Sequence, residues 1–134
     1  MTAPLTSHRR NIGVAPGKAL NVALWCVQVL LALTFLNAST AKLMGRPEMV
    51  QLFAALGMGQ WLRYVTGILE LTGAVLIVVP KTKSLGAALL MPIMFFATLV
   101  NLFVVHINPA PPLVLLLLAT FVVWGRRREL ADFA

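Results

Sequence analysis

The chain has too little charge to face water. Only 11% of its 134 residues are Asp, Glu, Lys or Arg, 60% are hydrophobic, and the mean hydropathy is +0.90. A soluble domain carries about 25% charged residues and covers itself with them. This scarcity excludes a water-soluble globule and implies an integral membrane protein with one compact domain. Acids are scarcer still, four against 11 Lys and Arg, for a net charge of +7. In a soluble protein that balance would suggest nucleic acid. Here the basic residues flank apolar runs, which is a topology signal, so no nucleic-acid partner is expected. There is one cysteine, Cys26. An intrachain disulfide and a C-x-x-C pair are both ruled out, and with them a dithiol membrane oxidoreductase. Cys26 reads as a small core or lipid-facing residue. A single intramembrane carboxylate and one histidine inside the apolar region are too few for a metal site. Haem has no second histidine to lean on, and the methionines are dispersed. No phosphate-binding glycine loop and no serine-nucleophile signature is present.

What is there is a series of long apolar runs. They predict an all-α protein, an integral membrane bundle of four transmembrane helices, with spans at about 19–41, 61–79, 85–106 and 109–124. Residues 1–18 form a basic tail with His8, Arg9 and Arg10, residues 19–128 the single transmembrane domain, and residues 129–134 a polar end. The apolar run Ala19–Leu36 exceeds the roughly 7–15-residue core of a cleaved signal, so the first span is expected to be retained. Between the first two spans, Glu48–Leu56 has apolar residues at helical spacing. It predicts a short interfacial helix, started after Pro47 and stopped by Gly57. Pro92 lies inside the third span and predicts a kink near Ala88. The fourth span is short, and Pro111 and Pro112 sit at its start, where prolines are tolerated.

Four spans put both termini on one side. Arg9, Arg10, Lys18, Lys81, Lys83, Arg126, Arg127 and Arg128 fall on that side, and Lys42, Arg46 and Arg63 on the other. The positive-inside rule then places both termini in the cytoplasm of a cell (inner) membrane. Trp25 and Trp124 near the inner ends, with Trp61 and Tyr64 near the outer end, fit an aromatic belt.

Within this frame one residue stands out. Glu70 lies near the middle of the second span, where a charged, unpaired carboxylate costs about 2.5–3.5 kcal/mol. It is about 10 Å below Arg63, while Asn37 is about 7 Å below Lys42 and Asn101 about 7 Å below His106. Asn37, Lys42, Arg63, Glu70, Asn101 and His106 therefore share the outer half of the bilayer, from three helices. The inner half has almost no polar side chain apart from Gln28. Arg63, Thr66, Gly67, Glu70, Gly73 and Ala74 lie on one stripe, and its small residues let another helix approach closely. Glu70 thus faces the bundle. It is either a proton-handling or ligand-binding carboxylate, or a paired structural one. Lys42 can reach inward or snorkel outward. His106 suits either the pocket or a helix end, and Asn37 and Asn101 suit either a ligand or inter-helix hydrogen bonding. A buried carboxyl near Lys or His is an arrangement used for proton transfer to a lipophilic substrate. A quinone needs donors for its carbonyls and a proton route, and these residue types supply both.

The sequence resembles the DoxX-like family of small four-helix membrane proteins. The matching text is L-x-F-x-x-A-x-x-A-K-L at Leu33–Leu43, L-G-M-G-Q-W at Leu56–Trp61, G-I-L-E-L-T-G-A at Gly67–Ala74 with a terminal Pro80, and the late His106. In the family a glycine often precedes the lysine of the first span; here Ser39, Thr40 and Ala41 stand in that place. The resemblance implies the fold, and some relatives are subunits of thiosulfate:quinone oxidoreductase. Carried over by position, it implies catalytic roles for Lys42, Glu70 and His106. Asn37, Arg63 and Asn101, from their shared depth, are expected on the ligand.

The expected function is a redox-associated membrane subunit or partner that binds a quinone-like or other lipophilic small molecule in an outer-leaflet polar pocket around Glu70. The alternatives are a small membrane enzyme, such as an isomerase, cyclase or hydrolase with Glu70 as acid/base, and a non-catalytic assembly subunit in which Glu70 pairs with Lys42 or Arg63. Expected partners are membrane lipids, with other membrane subunits or a second copy. The cofactor is open, a quinone being the candidate.

Overall fold

The computed structural model describes residues 17–133. The basic segment with His8, Arg9 and Arg10, expected as a tail, lies outside them. Among the described residues the chain is all-helical. It forms α1 (Lys18–Leu43), α2 (Pro47–Leu56), α3 (Trp61–Val78), α4 (Lys83–Leu99), α5 (Ala110–Gly125) and α6 (Arg127–Ala131). A π-helical segment, Val100–Val104, continues α4. Six α-helices thus replace the four of the expected bundle. The two extra ones are short. α2 is the predicted interfacial helix, with Pro47 in its first turn and Gly57 closing it at φ 74°, a left-handed conformation that glycine adopts without a Cβ clash. α6 had no apolar run to announce it. It forms because Arg126 leaves helical geometry at φ −109° and so separates a last turn from α5.

α1, α3 and α4 with its π segment are each long and apolar enough to cross a membrane. α5 has 16 residues, about 24 Å at 1.5 Å per residue. These four close into a ring in the order α1, α3, α4, α5, with α5 returning to α1. Each turns one stripe inward: Leu24, Gln28, Leu31, Phe35 and Ser39 on α1, and Arg63, Gly67, Glu70, Ala74 and Ile77 on α3. Spacings of three and four residues put each set on one face. The opposite faces expose Leu33, Ile68, Val75, Phe96 and Leu117, which suits lipid tails rather than water.

Because lipid is as apolar as the core, close backbone approach does much of the packing. Gly86 on α4 is the tightest case. A Cβ there would come 2.5 Å from the Ile77 backbone nitrogen, so α3 and α4 touch main chain to main chain. α4 runs on through Pro92 to Leu99. The third predicted span ends early, because the helix widens. Val105 N donates to Val100 O at 3.0 Å, a five-residue step, and His106 turns the chain at φ 53°.

Candidate functional site

Polar side chains gather at both ends of the ring. The group where α1 ends and α3 begins, named outer after the expected orientation, starts in the last turn of α1. Lys42 Nζ lies 2.8 Å from Glu70 Oε1 on α3, with the lysine side chain 13% and the glutamate 1% exposed. Oε1 receives no hydrogen bond of good geometry. The ammonium neutralises the carboxylate but leaves it with spare acceptor capacity. Gly67, one turn before Glu70, makes the approach possible, since a Cβ there would lie 3.2 Å from Lys42 Cβ.

Arg63, one further turn up, is buried and steers the same joint. Its Nη1 donates to the Lys42 carbonyl, and its Nε donates to Gln60 Oε1 at 2.8 Å. A cation at the C-terminal carbonyls of α1 satisfies groups that no helix partner can reach, and it meets the negative end of the helix dipole. Gln60 Nε2 in turn donates to Val50 O at 3.0 Å, which ties in α2. The guanidinium carbon also stands 4.4 Å above the Tyr64 ring centre.

Lys42, Arg63 and Glu70 are therefore together. Asn37, Asn101 and His106 are not with them. Among the described residues none of the three bonds to that group. Asn37 is exposed on α1; five residues from Lys42 is a rotation of about 140° at 3.6 residues per turn. Asn101 Nδ2 donates to Asn108 O at 3.1 Å, and Asn108 Oδ1 accepts from Ala110 N at 3.0 Å, so this pair shapes the turn into α5. His106 is exposed beyond the π segment.

The inner group, at the opposite end, gathers around Gln28, the polar side chain expected in that half, and joins Asn21 and the flanking charges to it. Gln28, fully buried on α1, donates through Nε2 to Ile77 O at 2.8 Å and accepts from Arg126 Nε at 3.0 Å. Arg126 Nη1 donates to Asn21 Oδ1 at 2.8 Å. Its Nη2 is buried without a partner. Burial lowers the Arg126 pKa and Glu129 opposes that; arginine stays charged regardless. Lys83 Nζ donates to Pro80 O at 2.8 Å and pairs with Glu129 Oε1, whose other oxygen is 3.8 Å from Arg126 Nε. Trp25 stands beside both cations, 5.9 Å from Lys83 Nζ and 5.7 Å from the Arg126 guanidinium carbon. Lys83 and Arg126, counted from sequence as flanking charges, are only 8% and 4% exposed. One signal pointed here. Asn21 and Gln28 are seven residues apart, hence on one face of an otherwise apolar helix.

The model of the DoxX-like family matches residues 26–122. The chain belongs to the DoxX-like family. With the three apolar helices, membership makes this a membrane protein. No curated protein and no solved structure is significantly similar to it. The DoxX-like match takes in Lys42, Arg63, Glu70, Asn101 and His106, as well as Gln28 and Lys83, but ends before Arg126 and Glu129. The outer group thus lies wholly within the DoxX-like region, and the inner one runs past its end.

Proposed function

We propose that this DoxX-like chain spans the inner membrane four times, α5 included, with both termini in the cytoplasm. It acts as a redox-associated subunit or partner that binds a quinone-like molecule at the Lys42–Glu70 pair. The reading rests on a single observation: a buried carboxylate oxygen facing a lysine and still without a well-formed hydrogen bond. Lys42 donates to a carbonyl oxygen of the ligand, and Glu70 accepts a proton from its reduced, hydroxyl form. Oxidation of the hydroxyl form releases two electrons, which pass to an acceptor in a partner subunit, and two protons, one to Glu70 and the other to water. Arg63 is a positioning residue, holding the end of α1 against α3 through the Lys42 carbonyl. The positive-inside distribution supports the orientation. Organic extraction of the purified protein followed by mass spectrometry tests the proposal. A quinone in near-stoichiometric amount, lost from Glu70→Gln and Lys42→Met, is the expected result. A protein that carries no quinone and takes none up from quinone-doped vesicles would sink it.

A second reading has its own support. Lys42 and Glu70 already neutralise each other and fasten α1 to α3, as an assembly subunit requires. If Glu70→Gln keeps wild-type function while Glu70→Leu impairs assembly, this second reading holds.

A further inference from the structure

The inner group borders a cleft of about 1020 Å³ at the end of the bundle where α1 begins and α5 ends. Its wall carries Lys83, Arg126, Arg127 and Arg128 against Glu129 and Asp132, so cations outnumber carboxylates four to two. Trp25 and Trp124 complete it, and the Arg127 guanidinium carbon stands 5.1 Å above the Trp124 ring. A second, smaller groove of about 500 Å³ shares Asn21 and Trp25 with the cleft and continues along α1 past Val22 and Cys26 to Val29. That groove is apolar beyond Asn21. A charged cleft opening into an apolar groove along a membrane helix has the form of an amphiphile with an anionic head.

Arg126 makes the cleft more than a solvated basic patch. It is 4% exposed, two of its nitrogens are held by Gln28 and Asn21, and the third has no partner. A buried guanidinium nitrogen without an acceptor costs free energy until an anion reaches it. Among the described residues the carboxylate paired with Arg126 is Glu129, which bridges towards Lys83 and is 39% exposed on the short last helix. Glu129 is a tethered anion that a stronger one can displace.

We propose that this cleft binds the phosphate of an anionic phospholipid of the inner leaflet, with one acyl chain along the Val22–Val29 groove. The phosphate takes the place of the Glu129 carboxylate between Lys83 and Arg126, and Arg127 closes over it. Phosphate on arginine is a charge-assisted, two-point contact, and interhelical basic pockets on the cytoplasmic side suit such headgroups. The groove commits the site to a lipid rather than to free phosphate.

The protein is extracted from nanodiscs of phosphatidylcholine with a minor share of phosphatidylglycerol, and retained lipids are counted by mass spectrometry. Phosphatidylglycerol should be enriched about tenfold over its share, a difference of about 1.4 kcal/mol. Lys83→Met should bring the ratio back towards the bulk. Glu129→Gln, a change on a partly exposed side chain, should raise it several-fold. Val22→Trp, which fills the groove, should lower it. A merely structural Glu129–Lys83 bridge predicts no gain in Glu129→Gln, and that result would overturn the proposal. So would equal retention of the two lipids by the wild type. Displacement of the lipid by millimolar inorganic phosphate would overturn the lipid assignment in favour of a free-anion site.

Discussion

The two polar groups are built from similar residues yet left incomplete in opposite senses. At the outer end Lys42 and Glu70 cancel, Arg63 is absorbed by a backbone carbonyl and Gln60, and the spare capacity is an acceptor's, on Glu70 Oε1, which Lys42 Nζ faces at 2.8 Å without a well-formed hydrogen bond. At the inner end Lys83, Arg126 and Glu129 do not cancel, and what remains open is a donor, Arg126 Nη2. The unfilled valence gives the character of the partner each end can take. An open acceptor beside an ammonium suits a proton-bearing or carbonyl-bearing neutral molecule. An open guanidinium donor suits an anion. The ends also differ in reach. The outer group joins α1, α2 and α3, whereas the inner one draws in α1, α3, α4, α5 and α6.

The largest effect should come from breaking the outer pair. Lys42→Met leaves Glu70 buried and alone, and should cost about 3–5 kcal/mol in unfolding free energy measured by denaturant titration in detergent. Adding Glu70→Leu to that variant should recover most of the loss. If the double variant is as unstable as the single one, the pair is not the unit described here. Next comes the inner end. Gln28→Leu strips a partner from Arg126 and another from Ile77 O, and should cost at least about 2 kcal/mol, since each orphaned buried group costs about 1–3 kcal/mol. The loss should shrink when anionic lipid is supplied, a response that Lys42→Met should not share. Gln60→Ala, at the rim of the outer group, should cost about 1 kcal/mol, the ordinary value of a hydrogen bond. The smallest effect belongs to Asn37→Leu. This exposed side chain touches neither group, and the change should stay within about 0.5 kcal/mol. A larger loss would mean that the outer group extends further around α1.

Much of this was legible in the sequence, for reasons that differ between residues. Hydropathy and proline positions gave the long helices to within a few residues, because lipid leaves no other way to satisfy a backbone. Glu70 facing inward followed from its stripe, and Lys42 and Arg63 joining it followed from their depth. Depth alone also predicted Asn37, Asn101 and His106, and there it was not enough. Azimuth separates Asn37 from Lys42 on the same helix, and the π segment carries His106 out of register, a shift no local pattern announced. The inner group was hidden for another reason. Lys83 and Arg126 look like any charges at a span end, and only the closing of α5 against α1 buries them.

Consider finally the unequal lengths of neighbouring helices. α1 has 26 residues and α5, which packs against it, has 16, or about 39 Å beside about 24 Å. A hydrocarbon slab of roughly 30 Å cannot match both when they stand upright. If α5 crosses as proposed, α1 has to lean or protrude and the slab to pinch in beside α5. The protein is then wedge-like towards its surroundings, thin on one flank and thick on the other. Such a body would strain a thin membrane less than a thick one on its short flank.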